Sequence, residues 1–207
     1  MYRPPAYRID DDAAAFRLIS DWAFATLATV HDREIQLSQL PMIADAERRV
    51  LRGHLARANP HAGRLDGERA IALFTGPQGY VSPNWYEDAT RVPTWNYLAV
   101  EITGVLRVLT APGEVDDMLI DLSHHFEERR HDIDRDSEWK IDKLPPQKRE
   151  ALRAGIVAFE LDIERIELKG KLSQKDKPAD REGVIKALSK GDEAQRRLAD
   201  AMREAGA

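Results

Sequence analysis

Short apolar runs separated by turn signals fill the middle of the chain. They are Ala25–Val30, Val50–His54, Ala70–Phe74 and a long run rich in Val, Ile, Thr, Trp and Tyr, Val92–Leu109. Polar turns such as His31–Arg33 and Asp45–Arg49 lie between them. Short strands at close spacing with turn signals are typical of an antiparallel sheet or barrel. We therefore expect this segment to form a mainly β core.

Helical patterns lie on both sides of the predicted strands. Apolar residues recur at helical spacing in residues 12–23, and the acidic run Asp10–Asp12 suits the positive end of a helix dipole. Residues 112–130 carry one apolar face, residues 147–154 form a shorter helix, and residues 157–172 are again strand-like. The pattern predicts an α+β fold that is mainly β with peripheral helices.

The tail, residues 180–207, divides into two helical segments at Lys190-Gly191. Asp192 with Gln195 three residues later resembles a capping box for the second segment. The tail is too short to be a domain. We expect it to pack on the body of the protein or on a partner subunit.

Composition and charge exclude several classes of function. The 207 residues include no cysteine, so disulfides, thiolate nucleophiles, Cys-ligated zinc and iron–sulfur clusters are ruled out. The formal net charge is -5, so any contact with nucleic acid must come from a local basic patch. No apolar run approaches a membrane span, and the first residues are not those of a signal peptide. We therefore expect a soluble cytoplasmic protein.

The stretch Gly53–Pro60 combines small residues with His54, Arg57 and Asn59 where a strand meets a helical crossover, residues 56–65, which Pro60 interrupts. Backbone N–H groups at a helix start and an arginine suit a phosphate group. The alternative is an ordinary strand–helix junction with a capping Asn59.

Two further stretches mix aromatic side chains with hydroxyls and amides. In Phe74–Tyr86, glycine and proline break the strand and let the backbone approach a ligand; the alternative is a structured loop that closes one end of a barrel. In Val92–Tyr97, Asn96 can read the edge of a ring. The alternative there is that Trp95 and Tyr97 face the core while Asn96 faces water.

His124, Glu128 and His131 fall on one helix face at metal-ligand spacing. The histidine His124 is offset from the apolar face, however, and the neighbours Glu127–Arg130 form a solvated charge cluster. Three ligands on one helix would also need a fourth from elsewhere. We predict no metal site and assign no catalytic residue.

Several stretches resemble, in the same order, the PaiB family of FMN-binding split-barrel proteins, which are described as negative transcriptional regulators. The stretches are Met1–Pro4, Thr26–Thr29, Leu40-Pro41, Gly53–Pro60, Phe74–Tyr86, Val92–Tyr97 and Lys171–Gln174. Together they cover nearly the whole chain. The chain departs from the family's usual pattern at Lys169, Lys175 and Asp176.

The resemblance implies an antiparallel FMN-binding split β-barrel, residues 1–175, with a C-terminal helical extension, residues 176–207. Such barrels pair as homodimers, with FMN in the groove between subunits. The implied phosphate contacts are His54, Arg57, Ala58, Asn59, Lys171, Ser173 and Gln174. The implied contacts to the flavin ring are Ser82, Trp85, Thr94, Trp95, Asn96 and Tyr97.

The resemblance leaves three functions open. The first is a flavin-binding dimer that represses transcription. The second is a flavin-dependent oxidoreductase of the pyridoxamine-phosphate-oxidase-like group, which needs a small-molecule electron donor but no protein acid or base, because the cofactor carries the hard step. The third is a flavin-storage barrel without turnover.

The tail is the best local candidate for a DNA-binding patch, because no helix-turn-helix is evident and basic residues elsewhere are scattered. The tail cations are Lys186, Lys190, Arg196, Arg197 and Arg203. The alternative is a solvated face balanced by acidic neighbours such as Asp192 and Glu193.

Overall fold

The computed structural model describes residues 1–132 and 138–205. The strands are β1 (Arg8–Ile9), β2 (Phe24–His31), β3 (Glu34–Asp45), β4 (Val50–Ala56), β5 (Arg69–Val81), β6 (Thr94–Val108) and β7 (Ile156–Lys171). The α-helices are α1 (Asp12–Trp22), α2 (Pro112–Glu127), α3 (Pro146–Ala154), α4 (Pro178–Leu188) and α5 (Glu193–Glu204). Among these residues, no helix is both long and apolar enough to cross a membrane.

The seven strands form one sheet in the order β1-β7-β4-β3-β2-β5-β6, and a further pairing between β7 and β6 joins the order into a ring. Strands β2 and β3 form an antiparallel hairpin that pairs Phe24 with Pro41 and Val30 with Ile35. The turn between them places Asp32 and Arg33 at positive φ, as tight hairpin turns require. The expected α+β split-barrel fold is confirmed.

The chain divides into two compact units, which we describe separately. The first unit comprises Met1–Leu18, Phe74–Glu101 and Ile166–Ala207; the second comprises Ile19–Leu73 and Ile102–Arg165.

In the second unit, helix α2 packs its apolar face on the sheet. Met118 and Leu122 of α2 join Ile43, Leu109 and Ala158 in one buried cluster. Strands β6 and β7 also approach closely here, because Gly104 has no side chain to clash with the Asp162 carbonyl oxygen.

In the first unit, the two C-terminal helices belong to the core. Val184 and Leu188 of α4 and Leu198 and Met202 of α5 are completely buried. The predicted capping box at the start of α5 is present, with the Asp192 side chain accepting from Gln195 N. That residues 176–207 form a separate extension stays a prediction.

Two local predictions were wrong. Strand β5 is not broken by its glycines but runs through them to Val81. Gly79 has a structural role instead, since an added Cβ would lie 3.0 Å from Leu198 of α5. The crossover after β4 contains only a 3-10 turn, Pro60–Arg64, and Pro60 begins this turn rather than interrupting a helix.

Candidate functional site

A polar pocket of about 380 Å³ lies in the first unit. It is formed by the loop before β6, the start of β6, and the end of β7 with the turn that follows. Four of the predicted flavin contacts line it, namely Thr94, Asn96, Lys171 and Ser173. The lining also includes Tyr7, Tyr86, Asp88, Arg91, Lys175 and Asp176.

Lys171 is the cation at the end of β7 and is fixed by two hydrogen bonds. Its Nζ donates to Thr94 Oγ1 and, at 2.7 Å, to the Trp95 carbonyl oxygen. Burial lowers the pKa of Lys171, and the negative charge of Asp176 acts in the opposite direction. One proton of the ammonium group is left for a ligand.

Asn96 and Ser173 form the polar floor of the pocket. Asn96 is 1% exposed, and its Nδ2 donates to Ser173 Oγ at 3.0 Å and approaches Met202 Sδ at 3.6 Å. The alternative in which Asn96 faces water is therefore wrong. Alternation along β6 puts Thr94 and Asn96 on the pocket side and leaves Trp95 48% exposed on the other side.

The loop before β6 supplies two pocket residues, Tyr86 at the end of one sequence motif and Arg91, which the motifs did not include. Arg91 stacks over the Tyr86 ring, with the guanidinium carbon 4.6 Å from the ring centroid, and forms an ion pair with Asp176. The buried carboxylate of Asp180, in α4, holds this loop by accepting from Glu87 N at 2.8 Å and Asp88 N at 3.3 Å. In the sequence, Tyr86 ends one motif and Arg91 directly precedes the next. This position beside the motifs is the signal by which Arg91 could have been found.

Three other predicted contacts in the first unit serve local structure. Ser82 Oγ accepts from Asn84 N and caps a 3-10 turn. The Trp85 carbonyl oxygen lies against Gly183 of α4. Gln174 has both ends of its amide engaged, since Oε1 accepts from Leu172 N and Nε2 donates to the carbonyl oxygens of Ala6 and Gly170. None of the three lines the pocket.

The two predicted ring-stacking residues of β6 lie away from the pocket lining. Trp95 makes an edge contact with Tyr80, with 6.5 Å between ring centroids. Tyr97 lies beneath the Lys169 ammonium group, 5.1 Å from the ring centroid.

The other four predicted contacts, His54, Arg57, Ala58 and Asn59, lie in the second unit. Arg57 is exposed, and it donates from Nε to the Ala154 carbonyl oxygen and from Nη2 to the Ile156 carbonyl oxygen, both at 2.6 Å. Burial lowers the pKa of His54, whose Nδ1 is enclosed without a hydrogen-bond partner among the described residues.

Asn59 is the capping residue that one reading of the sequence expected. Its Oδ1 accepts from His61 N at 3.0 Å, and its Nδ2 donates to Ser38 Oγ at 3.1 Å. The buried ring of His61 continues this network, with Nδ1 2.9 Å from Ser38 Oγ and Nε2 2.9 Å from Thr29 Oγ1. These bonds hold the turn against the β2–β3 hairpin.

His124 of α2 is paired with two carboxylates. His124 Nδ1 lies 2.7 Å from Glu138 Oε1, and its Nε2 lies 3.7 Å from Glu128 Oε2. The hydrogen bond to Glu138 is the main reason why the pKa of His124 is raised.

The lining of the first-unit pocket fits a phosphorylated flavin in its donor chemistry. Lys171, Arg91 and Lys175 provide positive charge, and Thr94 and Ser173 provide hydroxyl groups, which are the groups that bind phosphate. The rings of Tyr7 and Tyr86 add flat apolar surface. The volume lies within the range of roughly 300–1,000 Å³ that is usual for small-molecule sites.

The fold is that of a split barrel. The chain matches the family model described as "Putative FMN-binding domain" over residues 1–165, and it belongs to this family. This match and the similarity to a curated relative confirm the resemblance to the PaiB family and the prediction that the cofactor is FMN.

Individual proteins similar to this chain agree with that assignment. "Protease synthase and sporulation protein PAI 2" of Bacillus subtilis is 29% identical over 191 residues, which cover 91% of this chain and 89% of that protein. The FAD and heme binding protein of Mycobacterium smegmatis has a TM-score of 0.62 at 18% identity, with 79% of this chain and 73% of that chain covered. The flavocytochrome Anf3 of Azotobacter vinelandii has a TM-score of 0.58 at 13% identity, with 77% and 67% covered. These two structures show the shared fold.

Proposed function

We propose that the protein binds FMN in the first-unit pocket and acts, as a homodimer, as a negative transcriptional regulator. The observation that carries the flavin site is the convergence of Thr94, Asn96, Lys171 and Ser173 on one cavity beside Arg91. FMN, when bound, supplies redox chemistry; the protein supplies binding and orientation.

Each pocket residue has a defined part in binding. Lys171 and Arg91 attract the phosphate, because a dianion gains most from charge-assisted hydrogen bonds. Ser173 Oγ and Thr94 Oγ1 are positioned by Asn96 and Lys171 to hydrogen-bond to the ligand. Burial is the main reason why the pKa of the Tyr86 phenol is raised. The side chain therefore stays neutral at physiological pH and offers an uncharged surface.

The flavin assignment is tested by extracting any flavin from purified protein with denaturant and identifying it by mass. Flavin-free protein is then titrated with FMN by calorimetry. One FMN per chain is the expected stoichiometry. A protein that carries no flavin and does not bind added FMN contradicts the assignment.

Support for a homodimer comes from an exposed apolar face in the second unit. The outward-facing side chains of β2, β3 and the start of β5 that form it are Phe24, Val30, Ile35, Leu37, Ile71 and Leu73. Ile35 is 69% exposed and Leu37 is 64% exposed. A group of exposed apolar side chains on one sheet face is typical of an interface.

The dimer is tested by light scattering, which should give twice the chain mass. Leu37→Glu places a charge on the face and should produce monomers. Leu152→Glu is the matched control, because Leu152 is 51% exposed and belongs to α3, which contributes no residue to this face. A wild-type monomer, or a dimer that survives Leu37→Glu unchanged, contradicts this interface.

The regulatory role is supported by the name of the Bacillus subtilis relative and by contacts within the first unit. The printed words of that name are "protease synthase and sporulation protein". The pocket residue Asn96 touches Met202 of α5, and Asp180 of α4 holds the pocket loop. A ligand in the pocket is therefore one contact away from the two helices that carry the candidate DNA-binding cations.

The charges of these helices limit the DNA affinity that we expect. Arg197 pairs with Glu193 and Arg203 pairs with Asp200, each at 2.6 Å. Lys186 and Lys190 are both exposed. Lys186 lies in the last turn of α4, and Lys190 follows two residues after the helix ends. We expect weak binding, because the net charge of -5 opposes association with a polyanion. The phosphate contacts that do form should make the affinity fall steeply with salt.

The DNA test uses charge reversal, since removing α4 and α5 would remove core residues of the first unit. Lys186→Glu with Lys190→Glu should abolish binding to promoter DNA or reduce the slope of log affinity against log salt by about 2. Lys140→Glu with Lys148→Glu makes the same charge change at exposed lysines elsewhere. Equal effects of the two pairs contradict the tail as DNA-binding element. No binding even at low salt contradicts the regulator and favours a flavin oxidoreductase.

A further inference from the structure

Asp176 occupies a position in the pocket that is suited to an anionic ligand. It follows β7 in a turn in which its N–H donates to the Ser173 carbonyl oxygen at 3.0 Å. Its carboxylate forms an ion pair with the Arg91 guanidinium, and its side chain is only 13% exposed. Arg91, the cation that stacks on the Tyr86 ring, is therefore already paired with a carboxylate of the same chain.

The charge of Asp176 acts on two of the cations that border the pocket. Its hydrogen bond is the main reason why the pKa of Arg91 is raised. It also favours the charged form of Lys171 against burial. A single carboxylate therefore satisfies Arg91 directly and stabilises the charge of Lys171 at longer range.

The second pocket carboxylate is arranged differently. Asp88 binds within its own loop, accepting from Thr90 N at 2.9 Å and from Thr90 Oγ1 at 2.6 Å. These hydrogen bonds are the main cause of its lowered pKa, and Arg91 and Lys177 add weaker attraction. The charged groups that line the cavity are Arg91, Lys171, Lys175, Asp88 and Asp176.

We propose that Asp176 is a specificity-determining residue that competes with the flavin phosphate for Arg91. A phosphate group that reaches this guanidinium must displace the carboxylate and bear its repulsion, whereas an unphosphorylated flavin leaves the ion pair intact. Asp176 therefore reduces the preference of the pocket for FMN over riboflavin. This inference rests on the proposed FMN site and identifies the residue that sets its selectivity.

The test is Asp176→Asn, which keeps the size of the side chain and removes its charge. Affinities for FMN and riboflavin are measured by calorimetry on flavin-free protein. FMN should bind about tenfold more tightly or better, since a dianion no longer meets a carboxylate at short range, while riboflavin changes less than about twofold. Asp88→Asn is the matched control and should give a smaller gain for FMN.

Arg91→Gln completes a double-mutant cycle. If Asp176 acts through Arg91, the gain from Asp176→Asn shrinks when Arg91 is already replaced. A gain of the same size in both backgrounds overturns the competition for Arg91. Asp176→Ala repeats the measurement should the asparagine variant not fold, with circular dichroism as the check.

Other outcomes separate this inference from the proposed function. Weaker or unchanged FMN binding by Asp176→Asn overturns the inference while leaving the flavin site in place. If wild-type protein binds neither flavin, the proposed function fails, and the competition is then measured with inorganic phosphate by phosphorus NMR. Tighter phosphate binding by Asp176→Asn than by wild type supports the inference, and equal binding overturns it.

Discussion

The two units of the chain use their basic side chains in different ways. In the second unit, Arg48 and Arg107 both bind Glu160, at 2.7 and 2.6 Å, and this carboxylate is only 3% exposed. Arg57 of the same unit binds two backbone carbonyl oxygens. In the first unit, Lys171 and Arg91 border a cavity of about 380 Å³.

The difference shows that a basic residue in a motif does not by itself indicate a ligand site. Arg57 and Lys171 both belong to stretches that suit phosphate, but their surroundings differ. The donors of Arg57 are partly taken by the chain, which favours a structural role. Lys171 is anchored by two bonds beside open space, and a proton of its ammonium group remains for a ligand.

The largest effect that we expect is on stability in the second unit. Glu160→Ala removes the buried carboxylate that Arg48 and Arg107 share and should lower the free energy of unfolding by about 3 kcal/mol, because both guanidinium groups lose a charge-assisted hydrogen bond. Urea unfolding measures this change.

Glu164→Ala is the control for that measurement on the same strand. Its ion pair with Arg69 is exposed on both sides, at 42% and 66%, so the loss should stay below about 1 kcal/mol. Equal losses for the two variants would contradict the distinction between a buried shared carboxylate and a surface pair.

Arg57→Ala sharpens the comparison between the units and should have a smaller effect. Loss of its two hydrogen bonds to carbonyl oxygens should lower the free energy of unfolding by about 1 kcal/mol, because the side chain is exposed. We expect the affinities for FMN and riboflavin to change alike. If Arg57→Ala weakens FMN selectively, Arg57 binds the phosphate and its structural role is secondary.

The smallest effect that we expect is a dependence of stability on pH. Burial opposes ionisation of Glu160, but hydrogen bonds from Arg48 and Arg107 outweigh it and lower its pKa in the folded state. Its contribution to stability is therefore present above the ordinary pKa of 4.5 and is lost as the pH falls through the folded value. Unfolding midpoints of wild type and Glu160→Gln should converge in acid. Parallel curves would contradict this assignment.

The sequence predicted those parts of the fold that depend on local pattern. The helix over residues 12–23, the turn at His31–Arg33 and the capping box of Asp192 were all predicted, because short-range hydrogen bonds and periodicity determine them. The prediction that strand β5 breaks at its glycines was wrong. The packing of Leu198 against Gly79 is a long-range contact that no local pattern reveals.

The candidate site could be predicted only in part for the same reason. The motifs singled out Lys171, Ser173 and Asn96, which the fold brings together from strands far apart in the chain. Arg91 and Asp176 lie just outside the motifs and meet only in the folded chain. Arg57 donates to carbonyl oxygens of α3 and β7. These contacts could not be predicted, because sequence spacing does not specify where α3 and β7 lie.

Binding of FMN and riboflavin to Lys171→Met tests the central claim most directly, with Arg57→Met as the matched variant in the second unit. Methionine keeps most of the apolar stem and removes the charge. We predict that Lys171→Met weakens FMN roughly 10- to 150-fold, the value of one charge-assisted hydrogen bond, while riboflavin changes less than about twofold. An FMN affinity that is unchanged in Lys171→Met but reduced in Arg57→Met would contradict the first-unit site and place the phosphate in the second unit.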